Sequence, residues 1–336
     1  MNHYLKKIDQ LAKKIGDRRI TIMEVCGGHT NIIMQYGIRD ILPSNIRLVS
    51  GPGCPVCVTA QSDIDAMVVL AKAGIGVATY GDMLDVPGTR GSLNKAKEEG
   101  ADIKMIFSAM EMLLPENKDR VFFGIGFETT TPMTAYLLSH GIMVYSVHKI
   151  MIPAMKVLVE SSKIDGFIDP GHVSCITGSK MWEELKVPQV ISGFGKDQII
   201  RAIYKVLKLI YEGKNEVIND YEEVVKSEGN LKAQKLISQY LKSYEADWRG
   251  LGQVNSSGLE PKDENLNARV KYGTILKNIK SVQNSVCRCG EILKGECEPK
   301  DCPLFGKVCT PKNPVGACMV SSTEGGCGIA YKFLKK

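Results

Sequence analysis

The sequence predicts an α/β protein: two similar parallel-sheet domains followed by a mainly helical and irregular C-terminal domain. Three observations carry this. From about residue 19 to 200, short β-rich runs alternate with helical stretches, the pattern of parallel sheets covered by helices on both faces. Sliding the chain by 101 residues lays "RITIMEVCGGHT" over "RVFFGIGFETTT", with Cys26 against Phe127 and Thr30 against Thr131. After residue 196 the pattern changes, and seven of the eleven cysteines fall between Cys287 and Cys327. The expected domains are 18–117, 118–197, and a third formed by 1–17 with 198–336.

Taken in order, "MNHYLKKIDQLAKKIGD" is an amphipathic helix. "RITIMEV" and "IRLVSGPG" read as strands, with Thr30 capping a short helix between them. Thr59 is a candidate cap for the helix through "QSDIDAMVVLAKAG". "IGVATYGD", "ADIKMIF", "RVFFGIGFE", "GIMVYSVH", "DGFIDPG" and "PQVISGFG" continue the strand series. At "GFETTTP", Thr131 before Pro132 reads as a cap with proline at the first helical position. "KDQIIRAIYKVLKLIYEG" and "YEEVVKSEGNLKAQKLISQYLKSYEA" have helical spacing, and "DWRGLGQVNSSGLE" has no regular period.

The chain has 336 residues, with 44% hydrophobic and 24% charged residues, ordinary values for a globular protein. Its formal charge of +6 is spread out, with no block of like charges. That argues against a nucleic-acid arm and leaves an acidic protein partner open. There is no apolar signal core and no run of 18 apolar residues, so a cytoplasmic protein without a membrane span is expected. A G-x-x-x-x-G-K-[ST] loop, a C-x3-C-x2-C triplet and a G-x-S-x-G elbow are all missing. The sequence therefore gives no support for nucleotide hydrolysis, radical chemistry or a serine hydrolase.

Cysteines so numerous in a reducing compartment suggest metal or redox chemistry. The tail spacing over Cys287, Cys289, Cys297, Cys302, Cys309, Cys318 and Cys327 is irregular and rich in glycine and proline. Structural zinc favours two short-spaced pairs, whereas a loop around a [4Fe–4S] cluster fits these intervals. Four ligands leave three thiols over, enough for a redox pair. Spacing alone does not say which four bind.

Cys54-Pro55-Val56-Cys57 is a C-x-x-C pair at a strand-to-helix turn, where helix amides lower thiolate pKa and favour reversible disulfide formation. The alternative is half a zinc site completed by Cys26 and His29. Cys26 stands before Gly27 and Gly28, which leave space for a ligand or partner near the backbone. His29 is a ligand, a proton carrier or a structural hydrogen-bonder. Glu128 in "GFETTTP", His172 in "DPGHVSCITG", and Asp82 and Asp85 in "YGDMLDVPG" are further polar candidates, and Cys175 reads as a small buried residue.

The stretches "EVCGGHT", "GPGCPVCVT", "YGDMLDVPG", "GFETTTP", "PGHVS", "ISGF" and the tail "DCPLFGKVCTPKNPVGACMVSSTEGGC" together resemble the [NiFe]-hydrogenase maturation factor HypD family. The resemblance runs from about residue 20 to the C-terminus, and Cys175 and Cys297 fall outside its motifs. It implies a scaffold for assembling the Fe(CN)2CO unit of the hydrogenase large subunit. Partners would be a small HypC-type chaperone and a HypE-type donor carrying cyanide as a thiocyanate. It also implies a C-terminal [4Fe–4S] cluster in surroundings similar to those of ferredoxin–thioredoxin reductase. Carried over, Cys287, Cys302, Cys309 and Cys327 are the cluster ligands, and Cys289 with Cys318 the adjacent redox pair. Cys26 would bind iron bearing cyanide and carbonyl, with His29 beside it, while Cys54 and Cys57 would supply electrons. A competing expectation is a [4Fe–4S]-dependent protein disulfide reductase, which leaves "CGGHT" idle; a third is a zinc-stabilised interaction protein.

Overall fold

The computed structural model describes residues 2–161 and 163–334; positions 1, 162, 335 and 336 of the expected domain ranges lie outside the described residues. Eleven strands are found among the described residues. They are β1 (Ile20–Glu24), β2 (Ile46–Ser50), β3 (Val77–Tyr80), β4 (Ile103–Ile106), β5 (Val121–Gly126), β6 (Val144–Lys149), β7 (Gly166–Pro170), β8 (Gln189–Ser192), β9 (Val217–Asn219), β10 (Leu241–Trp248) and β11 (Gly252–Pro261). The first eight are the eight that the sequence predicts.

The strands form two sheets, ordered β2-β1-β7-β8-β9 and β10-β11-β6-β5-β3-β4. The first is parallel throughout. The second has a parallel core, β6-β5-β3-β4, extended by an antiparallel hairpin. Every residue of β1, β5, β6 and β7 is buried, as strands covered on both faces require. Edge strand β4 instead exposes Lys104 and Met105.

Ranges 18–117 and 118–197 each contribute strands to both sheets: the chain leaves the first sheet after β2, builds β3 to β6, then returns for β7 to β9. The 101-residue echo survives this interleaving. It superimposes β1 on β5, each an interior strand followed by a helix, Gly27–Gln35 or Thr131–Ser139.

The expectation of an irregular segment around 247–260 is corrected. Helix Leu231–Tyr240 stops where β10 begins, and β10 pairs with β11. Tyr244, Ala246 and Trp248 alternate with polar neighbours in a period of two, which overrides the helical spacing upstream. Three cap assignments also move. Cys26 itself precedes helix Gly27–Gln35, so Thr30 lies inside it. Thr130 precedes Thr131–Ser139, which puts Pro132 second. Thr59 follows the short helix Pro55–Val58, and Ala60 starts the next one.

The N-terminal helix Asn2–Ile15 packs against Lys196–Glu212 over the first sheet, where Ile8 and Ala12 meet Ile199 and Ile203. The cysteine-dense tail has no separate core. Ile292, Leu293, Cys318 and Met319 share one apolar cluster with Val25, Val56 and Cys57.

Candidate functional site

In parallel sheets, ligands gather at the carboxyl ends of strands where the strand order reverses. In the first sheet that point lies between β1, which leads to β2 on one side, and β7, which leads to β8 on the other. Cys26 follows β1, and His172 follows β7. In the second sheet it lies between β3 and β5, followed by Asp82 and Glu128 respectively.

Cys26 is held from both sides. Its N–H donates to Glu24 Oε2 at 3.1 Å, and Glu24 Oε1 accepts from Thr30 Oγ1. Burial raises the Glu24 carboxyl to about 7, against the hydrogen bonds from Ser50, Thr30 and Cys26. Burial likewise pushes the Cys26 thiol up to about 12, so metal binding there must displace a proton. The residue as a whole remains partly exposed.

The glycines after Cys26 do not hold open space, as the sequence suggested. A Cβ on Gly27 would lie 2.5 Å from Glu324 Cβ and 2.6 Å from its Cα. One on Gly28 would lie 3.1 Å from the Phe194 ring, and one on Gly53 2.3 Å from Cys26 N. Their missing side chains let three distant chain segments close around Cys26.

His29 is buried, its Nε2 3.1 Å from Gly193 O and its Nδ1 without a partner. Burial lowers its pKa to about 4, so the ring is neutral at physiological pH. Phe194 lies between two imidazoles, 4.9 Å from His29 and 3.9 Å from His172. Asp169, at the end of β7, is fully buried with neither carboxylate oxygen partnered.

Cys54 caps helix Pro55–Val58, and Cys57 N–H donates to its sulfur at 3.2 Å. The expected lowering of its pKa is reversed: burial and then the neighbouring Cys57 raise it well above the ordinary thiol value. A four-residue helix is too short to offset that desolvation.

The tail completes the assembly. Cys287, Cys302, Cys309 and Cys327 line one apolar-walled cavity with Cys289 and Cys318. Cys289 and Cys318 are paired as a disulfide, their Cα atoms 6.3 Å apart. Cys318 also lines a second cavity, shared with Cys54, Cys57, Gly27 and Glu324. Burial raises Cys327 well above the ordinary thiol value, with the charges of Cys57, Cys309, Cys287 and Cys302 adding to it. Among the described residues, no three His, Cys, Asp or Glu side chains converge as a site for a single metal ion.

The other candidates are dispersed. Glu128 is buried, accepts from Met151 N–H at 3.0 Å, keeps Oε2 unpartnered and is raised to about 7 by burial. Asp82 and Asp85 are exposed, and Asp85 accepts from Asn94 Nδ2 at 3.0 Å. Cys175 is partly exposed rather than buried, while Cys297 is buried outside both cavities. Sequence reasoning missed Glu24, Phe194 and Glu324. Glu324 stands within the quoted tail motif, but nothing in a linear reading places it nearly 300 residues back, against Gly27.

The HypD family model, described as "Hydrogenase formation hypA family", matches residues 1–334. A hydrogenase expression/formation protein of Methanocaldococcus jannaschii is 42% identical over 345 residues, covering 98% of this chain and 96% of that one. Hydrogenase maturation factor HypD2 of Bradyrhizobium diazoefficiens is 41% identical, with 93% of this chain and 88% of that one covered. Hydrogenase maturation factor HypD of Escherichia coli is 37% identical, with 94% and 90% covered. Agreement of this extent, over nearly the whole of each chain, shows that the chain belongs to the HypD family of hydrogenase maturation factors.

Proposed function

We propose that the protein is a cytoplasmic scaffold and thiol redox catalyst for building the Fe(CN)2CO group of [NiFe]-hydrogenases. It would act with a HypC-type chaperone and a HypE-type thiocyanate carrier before the large subunit receives the group. One observation carries this reading: Cys318 lines both the cavity with Cys54 and Cys57 and the cavity with Cys287, Cys302, Cys309 and Cys327.

The donor set around the tail cavity fits a [4Fe–4S] cluster. Cys287, Cys302, Cys309 and Cys327 offer sulfur alone, spread around an apolar hollow rather than converged on a point. Bound there, such a cluster supplies reducing equivalents to the Cys289–Cys318 disulfide beside it. The chain's own residues account for the rest. When the S–CN bond of the carrier thiocyanate breaks, two electrons are needed to release a thiol and cyanide. Cys54 and Cys57 provide both by closing to a disulfide. One of their protons ends on the leaving sulfur, and the other is released when cyanide binds iron as the anion. Exchange with the Cys289/Cys318 dithiol then reopens the pair, one disulfide forming as the other breaks.

Iron is the cargo, and Cys26 is its anchor on this chain. A Cys26 thiolate would have neutral His29 near it, while the charges of Glu24 and Glu324 oppose its formation until a metal ion offsets them. Glu128, at the switch point of the second sheet, would serve as a proton-holding group.

The test is the infrared spectrum of the anaerobic chain co-expressed with its partner factors. Two metal-cyanide bands and one carbonyl band, lost in Cys26→Ala, are expected. A blank window in a protein that retains cluster absorbance and reduces disulfides would replace this reading with the protein disulfide reductase.

A further inference from the structure

The turn between β10 and β11 carries an arginine that the proposed function leaves unused. Arg249 is 6% exposed. Its N–H donates to Val58 O at 3.0 Å and its Nε to Thr59 O at 3.1 Å. Nη1 donates to Gln61 Oε1 at 3.2 Å, but Nη2 is buried with no partner. Trp248, the preceding residue, bridges Thr59. Three hydrogen bonds and a β-bridge therefore fasten the turn to the segment directly after Cys57.

The other side of the same turn meets the tail. Gly250 has φ +86°, and a Cβ there would lie 2.6 Å from Gly290 Cα and 2.9 Å from Gly290 O. Gly290 directly follows Cys289. The turn is thus held between the segment after the C-x-x-C, through Arg249, and the stretch that bears Cys287 and Cys289, through Gly250. Burial lowers the Arg249 pKa; opposing this, Cys287 acts on it most strongly, then Cys57, ahead of Asp247 and Asp65.

Fastening a turn to two carbonyls and an amide needs donors, not a charge. A buried guanidinium with an unspent N–H is costly unless something nearby becomes negative. We infer that Arg249 is a positioning residue that holds a fixed positive charge between Cys57 and Cys287, favouring the reduced, thiolate-bearing form of the Cys54/Cys57 pair. Opening the Cys54–Cys57 disulfide with two glutathione molecules gives two thiols and glutathione disulfide, and a thiolate forms when the pair then releases a proton. A cation beside that thiolate shifts this equilibrium towards reduction, because a stabilised reduced form makes a dithiol pair more oxidising.

This inference rests on the functional reading only in treating Cys54 and Cys57 as a redox couple. The test equilibrates the full chain in glutathione buffers, traps free thiols and quantifies the Cys54–Cys57 disulfide by peptide mass mapping. In Arg249→Gln the equilibrium constant for reduction should fall about tenfold, a shift of about 30 mV for a two-electron couple. Arg249→Lys, which keeps the charge but loses the fork of donors, should stay within about threefold of the parent.

If Arg249→Gln does not fold, Asp247→Asn removes a competing carboxylate and should move the constant in the opposite direction. Equal shifts in the lysine and glutamine variants, no shift in the glutamine variant, or a fall in Asp247→Asn would overturn the inference. An insensitive couple would sink the inference alone. A pair that never closes at any glutathione ratio would sink the functional reading with it.

Discussion

Gly27 illustrates how a single missing Cβ sets the geometry of the site. It opens the helix after Cys26, and the backbone of Glu324 occupies the volume a side chain would need. Gly27→Ala would force a backbone at 2.6 Å to move, and overpacking of this kind costs about 1–3 kcal/mol. Urea unfolding should show that loss, and the disulfide at Cys289–Cys318 should become more accessible to external reductant. A stable variant with unchanged accessibility would mean that the tail does not dock here. His29 is fixed by similar means: Gly193 holds one ring nitrogen and Phe194 covers the ring face.

At the scale of elements, the β10–β11 hairpin joins the second sheet to the thiol site. Trp248 at its end donates from Nε1 to Ser257 Oγ at 2.8 Å, stacks on Phe127 and bridges Thr59. Helix Pro55–Val58 packs on β5 from the same side. Trp248→Ala should cost about 3–5 kcal/mol of stability, as for other large buried aromatics. It should also raise amide exchange at Val58 and Thr59 beyond the rise elsewhere. A uniform change along the chain would show that the hairpin is mere padding.

Across the whole molecule, buried ionisable groups pull stability in opposite directions. Burial lowers His29 to about 4 and His148 to about 3, so the stability tied to these neutral rings is present above the ordinary histidine value and lost as pH falls through it towards those figures. Glu24 and Glu128, raised to about 7, contribute stability that is full below the ordinary carboxyl value and lost as pH rises through 7. These slopes oppose one another from about pH 4.5 to 6.5; below that range the loss from the histidines continues while the two buried glutamates add no further slope. His148, bonded to Ser146 on the same strand and to Thr134 on the helix that covers it, should therefore drive acid unfolding. The stability gap between the parent and His148→Gln should narrow by about 2 kcal/mol between pH 4.5 and 3. A gap independent of pH would refute this assignment.

The sequence by itself determined the alternation of strands and helices and all eight strands up to Ser192, because strands buried on both faces are read directly from apolar runs such as "VFFGIG". It also placed Cys26, Cys54 and Cys57 at turns after strands, since glycine and proline punctuation around them marks strand ends. Only the tertiary structure decided how the strands divide between two sheets, because strand pairing depends on contacts far apart in the chain. It also decided that Arg249 and Glu324 belong beside the cysteines. Neither has a local pattern to betray it; each reaches the site through a backbone approach between segments that sequence spacing does not encode. Burial, which no linear reading supplies, likewise reversed the expected acidity of Cys54. A short helix dipole is a local property of the sequence, while the dry environment that outweighs it is made by the whole fold.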